Sequence, residues 1–311
     1  MTGKDPIKVY DARWEINDFS NQEIMRFIEA VFIYGRQLGV DTVTIARDGR
    51  LGGGPVMQIT VETALKAGFT IFLSTDPIST PQSYYLSFWA SKKHPKTMGL
   101  TITASHNPAD YIGLKVVVPG VEAIGLGCGP YGGFTRIRQI YHSGETLADG
   151  KGAELYLVNL TEKYLRFSMQ AAGVEEGSLS DLVVVLDALN GSAGPEMYQA
   201  LQRGGAAVTP LRIIPDGTFP TGSPNPTSIG KMDSAVALAG NINADLVIGT
   251  DGDGDRLVFG DARGIMNAGF ASVPILKRVL AGEPLSGGHR VICDPKINPL
   301  ALSEWTRLNI L

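Results

Sequence analysis

Short β-branched and apolar stretches alternate with helix-periodic ones through most of this chain, and that alternation confines it to a buried, largely parallel sheet flanked by helices. Thr42 to Ala46, Phe69 to Leu73, Met98 to Thr103 and Leu114 to Val118 read as strands. Ser20-Asn21-Gln22-Glu23 has the spacing of a capping box, and Ile24, Phe27, Ile28, Val31 and Phe32 follow at helical spacing until Gly39 offers a stop. Pro55 to Ala67 predicts a second helix, ended by Gly68. Val121 to Gly133 is Gly-rich and lacks either period, so it reads as a loop, and Glu154 to Met169 reads as a linking helix.

A second series then opens with a strand at Leu182 to Leu186. It continues with a helix at Ala193 to Gln202, a strand at Ala207 to Ile213, a helix at Ile229 to Ala239 and a strand at Asp245 to Ile248. A third series starts with a helix at Val273 to Leu280, a strand at Arg290 to Cys293 and a helix after Pro299. The expected fold class is α/β: two consecutive α/β domains with mixed, largely parallel sheets, plus the start of a third similar domain. A length of 311 residues agrees, since single cores rarely keep growing at that size.

Each series places polar residues just after an apolar strand: Arg47-Asp48-Gly49-Arg50, Asp187-Ala188-Leu189-Asn190-Gly191 and Asp294-Pro295-Lys296. In open α/β sheets that end of the strands is where ligands bind. Composition narrows the ligand. The net charge is −4, and no basic cluster exceeds Ser91-Lys92-Lys93-His94, which argues against nucleic acid and anionic membrane as partners. The two cysteines, Cys128 and Cys293, lie far apart without CxxC spacing, so neither a disulfide framework nor a thiolate zinc site is indicated. The N-terminus lacks a signal-peptide apolar region, and no apolar run approaches the roughly 18 residues needed to span a bilayer. A cytoplasmic protein is expected.

Two motifs carry chemistry. Thr250-Asp251-Gly252-Asp253-Gly254-Asp255-Arg256 lies between two strand candidates, and its three alternating carboxylates repel one another unless a cation sits between them. Oxygen ligands select a hard cation, and Mg²⁺ is expected where a phosphate completes the shell. A solvated acidic turn is the plain alternative. An EF-hand fits worse, because its sixth and twelfth positions would be Arg256 and Ala262. A phosphatase with an aspartyl nucleophile at Asp251 is a better rival. The second motif is Thr101-Ile102-Thr103-Ala104-Ser105-His106-Asn107-Pro108, followed by Lys115. A phosphorylated serine is a stable phosphoryl reservoir, and His106, Lys115 and Arg256 are suited to neutralise a transferring group. Read alone, Ser-His-Asn-Pro is equally an ordinary turn.

Together, Thr103 to Pro108 and Asp251 to Arg256 resemble the motifs of the α-D-phosphohexomutase superfamily, which includes phosphoglucomutase and phosphomannomutase. Tyr10-Asp11-Ala12-Arg13, Arg47 to Arg50, Asp187 to Gly191, Phe219-Pro220 with Pro224-Asn225-Pro226, and Cys293 to Lys296 are similar to lesser family motifs. The resemblance runs from about Tyr10 to Lys296 and divides the chain into residues 1–160, 161–268 and 269–311, the last a partial domain. It implies intramolecular phosphoryl transfer on a hexose phosphate through phosphoserine Ser105, with a hexose 1,6-bisphosphate as intermediate and activator. It further implies one Mg²⁺ held by Ser105, Asp251, Asp253 and Asp255. His106, Lys115 and Arg13 would serve proton transfer and phosphate stabilisation, and Arg256, Lys296, Tyr10 and Arg50 would bind substrate or phosphate.

The sequence departs from the family at Trp14, where Gly is usual, and at Ile112, where Asn is usual, both expected near the substrate's approach. The family's third-domain sugar loop and fourth-domain Arg-rich loop are not in these residues, which leaves open a non-catalytic phosphosugar-binding homologue or a truncated form. Gly127 to Gly132 fits GxGxxG but is interrupted by Pro130 and Tyr131, and is not expected to bind a dinucleotide. Tyr84, Tyr85, Phe88 and Trp89 are expected to pack a helix rather than to platform a sugar.

Overall fold

The computed structural model describes residues 4–281, 291–292 and 297–307. The first sheet contains β1 (Ala12–Glu15), β2 (Thr42–Arg47), β3 (Thr70–Ser74), β4 (Thr97–Ile102), β5 (Tyr111–Val118), β6 (Glu122–Ala123) and β7 (Glu154–Val158). Its order is β1-β5-β4-β2-β3-β7, with β6 hanging from β5. The pairs β4–β2, β2–β3 and β3–β7 are parallel, while β5 runs antiparallel to both β4 and β1. Helices α1 (Asn21–Gln37), α2 (Gly53–Lys66), α3 (Thr80–Ser91) and α4 (Phe134–Ser143) cover this sheet, so β4 is buried along its whole length.

The expected capping box is present on α1: Ser20 N donates to Glu23 Oε2 at 2.8 Å and Glu23 N donates back to Ser20 Oγ at 3.3 Å. Three readings of this region change. Val121 to Gly133 contains β6 and a short helical turn rather than only loop. Helix α4 was not anticipated, although Phe134, Ile137, Ile140 and Tyr141 bury one face of it. The stretch 154–169, expected to be one helix, is β7 followed by α5 (Thr161–Ala172).

Trp14 and Ile112 are cross-strand partners in the β1–β5 pair. Both are buried, and the Trp14 ring packs 5.7 Å from Phe19 and 6.1 Å from Phe27. The two departures therefore meet each other in the core, where adjacent side chains on one sheet face stabilise the pairing. Neither side chain obstructs a ligand's approach.

The second sheet has the order β12-β11-β10-β8-β9, from β8 (Val183–Asp187), β9 (Ala207–Leu211), β10 (Leu246–Thr250), β11 (Leu257–Asp261) and β12 (Gly264–Ile265). Here β9, β8 and β10 are parallel and β11 returns antiparallel beside β10. Helices α6 (Gly194–Arg203) and α7 (Asp233–Ile242) accompany it. Beyond it, α8 (Ala268–Leu280) packs with α9 (Pro299–Arg307), where Trp305 Nε1 donates to Ser272 Oγ at 3.0 Å. The strand expected over 290–293 lies largely outside the described residues. No helix among the described residues is long and apolar enough to cross a membrane.

Candidate active site

The two sheets offer the same opening. In each, a central parallel strand turns into an antiparallel neighbour, β4 into β5 and β10 into β11, and the connecting loop sits at the strand's carboxyl end. The first loop carries Ser105 and the second carries Asp251, Asp253 and Asp255. They meet: Ser105 Oγ donates to Asp251 Oδ2 at 3.1 Å across 146 residues of chain.

Ser105 is buried and adopts φ 55, a left-handed conformation that L-residues other than Gly, Asn and Asp avoid. The loop is held there from beneath. Arg50 Nη2 donates to the carbonyls of Ser105 and Asn107, both at 2.6 Å, and Nη1 donates to those of Pro108 at 2.6 Å and Tyr111 at 3.2 Å. Arg50 Nε bonds Asp48 Oδ2, which also accepts from Thr103 Oγ1, and Thr103 Oγ1 in turn accepts from Ser105 N. Burial pushes the Asp48 carboxyl up to about 6, with Arg50 and Thr103 opposing the rise.

Asp251 and Asp253 are buried and Asp255 is more open, and one oxygen of each lies within 4.8 Å of the others. Burial, then repulsion from Asp253 and Asp255, pushes Asp251 up to about 7. Lys115 Nζ donates to Asp253 Oδ2 at 2.6 Å and to Asp255 Oδ2. Burial alone would lower the lysine, but the two carboxylates outweigh it and raise its pKa. Asp253 Oδ1 is buried with no hydrogen-bond partner among the described residues. Three converging carboxylates, one with an orphaned oxygen, fit a hard divalent cation.

The glycines between them have separate reasons. A Cβ on Gly252 would stand 2.6 Å from the Ser105 carbonyl oxygen, so this position is set by the approach of the two loops. Gly254 is left-handed, at φ +73, and its Cβ would meet Ala193 Cβ at 2.3 Å. Only the second supplies the backbone curl expected of both.

A cavity of about 390 Å³ opens over this junction, with Tyr10, Arg13, Tyr84, Ser105, Lys115 and Arg256 on its wall. Arg13 is held between Asp11 and Asn107, its Nη1 donating to Asn107 Oδ1 at 2.8 Å. His106 Nδ1 lies 3.4 Å from Ser105 Oγ, and burial followed by the charges of Arg256 and Arg13 lowers its pKa. Roomier depressions between α1 and α2 and beside Trp89 bring together no comparable set of hydroxyl and carboxylates.

Arg50 is a correction. Its side chain is fully buried, four carbonyls and Asp48 use its donors, and it does not reach the cavity wall, so it shapes the Ser105 loop from beneath. Tyr84 is a second, since it faces the cavity instead of only packing a helix. Ile124, Gly125, Leu126 and Cys128 form one rim, which gives the Gly-rich segment a place in the site. Lys296 lies outside the described residues.

Thr80, Ser79 and Glu196, which carry contacts between the sheets, were not anticipated. Ser79 Oγ donates to Glu196 Oε1, and Thr80 Oγ1 donates to Asp253 Oδ2 at 2.6 Å. In sequence Ser79-Thr80-Pro81 shows only a helix start; nothing there points to the acidic loop.

Models of two successive domains match the chain: phosphoglucomutase/phosphomannomutase alpha/beta/alpha domain I over residues 5–125, and domain II over residues 162–264. A phosphomannomutase of Escherichia coli is 27% identical over 301 residues, covering 94% of this chain and 62% of that protein. A phosphomannomutase/phosphoglucomutase of Pseudomonas putida is 28% identical over 258 residues, covering 80% and 50%. Among solved structures, a phosphoglucomutase/phosphomannomutase family protein from Burkholderia thailandensis superposes with a TM-score of 0.81 at 24% identity, covering 97% of this chain and 64% of that one, a likeness of fold. The chain thus spans 62% of the E. coli protein's length and half of the P. putida protein's.

Proposed function

The chain belongs to the phosphoglucomutase/phosphomannomutase family, and from that premise we propose that its two strand-end loops carry phosphoryl transfer on a hexose phosphate, with Ser105 as the phosphoryl carrier. The observation that supports this best is the buried contact between Ser105 Oγ and Asp251, made beside a carboxylate cluster fitted to a divalent cation. In the transfer, the bond between phosphorus and Ser105 Oγ breaks as a sugar hydroxyl oxygen bonds to phosphorus. The hydroxyl proton passes to a neighbouring base, for which His106 is placed, and Ser105 Oγ ends as a hydroxyl. The hexose 1,6-bisphosphate then turns and returns its other phosphoryl to Ser105.

When bound by Asp251, Asp253, Asp255 and the phosphate on Ser105, Mg²⁺ supplies Lewis-acid polarisation of the phosphoryl oxygens. Lys115, Arg13 and Arg256 line the cavity as fixed cations for the charge on the transferring group, and Tyr10, largely exposed at the mouth, contacts the incoming sugar phosphate. Lys296 is assigned to the sugar phosphate on the family resemblance.

An aspartyl nucleophile at Asp251 is disfavoured, because that side chain is fully buried behind Ser105 and does not reach the cavity wall. Incubation of the full chain with a hexose 1,6-bisphosphate and Mg²⁺, followed by peptide mass spectrometry, is expected to place phosphate on Ser105 in a form stable to hydroxylamine, and to find none in Ser105→Ala. A hydroxylamine-labile label surviving in Ser105→Ala would refute the serine carrier and favour the aspartyl route. A coupled assay with hexose 1-phosphate and the bisphosphate distinguishes a mutase from a phosphosugar-binding homologue, which would show no turnover.

A further inference from the structure

Helix α3 belongs to the first sheet's helical layer, yet its first turn is buried against the acidic loop of the second. Thr80 N donates to the Asp253 carbonyl at 2.8 Å, and Thr80 Oγ1 donates to Asp253 Oδ2 at 2.6 Å. The other donor to that same oxygen is Lys115 Nζ, also at 2.6 Å. Asp253 Oδ1 is buried and has no hydrogen-bond partner among the described residues. One carboxylate oxygen thus carries two donors, and its twin has none among the described residues.

We propose that Thr80 is a positioning residue for the divalent cation: its hydroxyl pins Asp253 Oδ2 and so presents Oδ1 to the ion. This rests on the reading above that Asp251, Asp253 and Asp255 hold such a cation. A carboxylate has two chemically equal oxygens and a soft terminal torsion, so an unrestrained aspartate presents either one. Lys115 alone is a poor restraint, because its ammonium is shared with Asp255 and a flexible chain carries it. Thr80 is buried, β-branched and fixed by its own backbone bond to Asp253, so its hydroxyl has little freedom to follow the carboxylate. Partners of this kind, one bond removed from the metal, typically change its affinity about 10- to 100-fold.

The contact is well supported. Ser79, the N-cap of α3, accepts from Gln82 N at 3.2 Å and donates to Glu196 at the start of α6. With its amide turned to satisfy both neighbours, Gln82 donates to Glu196 Oε2 at 2.6 Å and accepts from Thr161 Oγ1 at 2.9 Å. These bonds dock α3 on the second domain and touch no carboxylate of the acidic loop. They provide the control that separates docking from positioning.

The test is titration of the full chain with Mn²⁺, followed by electron paramagnetic resonance of the free aquo ion, with thermal melts to establish folding. Thr80→Val keeps the shape and removes the donor. It is expected to weaken Mn²⁺ binding about 10-fold or more, while Thr80→Ser returns it to within about 3-fold of the parent chain. Ser79→Ala is expected to lower the melting temperature and leave Mn²⁺ affinity within about 2-fold. If Thr80→Val does not fold, Thr80→Ala carries the same expectation.

Parental affinity in a folded Thr80→Val chain overturns the proposal, as does equal weakening in Ser79→Ala or failure of Thr80→Ser to recover. Asp251→Asn tests the underlying reading separately. If that variant binds Mn²⁺ as the parent does, or the parent does not bind at all, the carboxylate site itself is wrong. If Asp251→Asn loses binding and Thr80→Val does not, only the role of Thr80 fails.

Discussion

The two domains share the order of four strands, β5-β4-β2-β3 in the first and β11-β10-β8-β9 in the second, and differ in the edge strand beside them, β1 or β12, and in what holds their loops in place. Each has an aspartate at the end of its inner parallel strand, Asp48 after β2 and Asp187 on β8, gripped by an arginine, Arg50 or Arg212. Arg50 is completely buried, its guanidinium 4.9 Å from the Phe219 ring of the second domain. The Arg212 side chain is 21% exposed, over a core built mostly of valine, alanine and leucine. The Ser105 loop is held from beneath mainly by Arg50 of its own domain, while Ser223 Oγ of the second donates to the His106 carbonyl. The acidic loop borrows Thr80, Lys115 and the Ser105 carbonyl from the other. The same frame thus carries one arginine sealed from solvent and one nearer to it.

Exchanging the two arginines tests that asymmetry most severely. Arg50→Met leaves Asp48 buried without its cation and strips four carbonyls, and is expected to cost about 3–5 kcal/mol in denaturant unfolding followed by tryptophan fluorescence. Arg212→Met, nearer solvent, is expected to cost about 1–3 kcal/mol. Equal losses would break the comparison.

Next in size is Glu196, whose carboxyl burial pushes up to about 8 against the opposing bond from Ser79. Below the ordinary glutamate range both folded and unfolded chains hold the proton. As pH rises from about 4.5 toward 8 the unfolded chain releases it first, so stability falls through that window. Glu196→Gln removes the slope, and at pH 8 should exceed the parent by on the order of 2–4 kcal/mol. A pH-independent difference would mean that Glu196 is ionised where it meets Ser79.

Gly252→Ala sharpens the same contrast from the acidic side. The added carbon meets the Ser105 carbonyl oxygen at 2.6 Å and Pro224 Cγ at 2.8 Å, and is expected to cost about 1–3 kcal/mol and to weaken Mn²⁺ binding together with stability. Ser20→Ala, at the cap of α1 and remote from either loop, should cost about 1 kcal/mol in the same unfolding assay and leave Mn²⁺ affinity unchanged.

Strands buried on both faces were legible, as β2 and β4 show, because continuous apolar runs between polar turns have few other readings. Strand β7 was not. It is an edge with Leu155, Tyr156 and Leu157 exposed, and its residues run into α5 without an inward and outward alternation. Helix α4 starts after Gly133 with no side-chain cap, which hid its onset. In the site, Ser105 and the three aspartates stand out because their spacing is local. The burial of Arg50 is not legible, because sequence does not say whether a guanidinium beside the Ser105 loop faces solvent or carbonyls. Trp14 and Ile112 looked like obstacles until the β1–β5 register paired them. Thr80 left no trace at all, since its partner is 173 residues away.

The ammonium of Lys115, set between Asp253 and Asp255, acts as a tethered counter-ion. An acidic loop met by a lysine from the neighbouring domain does not depend on the medium to keep its acids together. Chelators should therefore remove a divalent cation bound at the carboxylates without unfolding the protein, in contrast to small domains whose folding is itself metal binding.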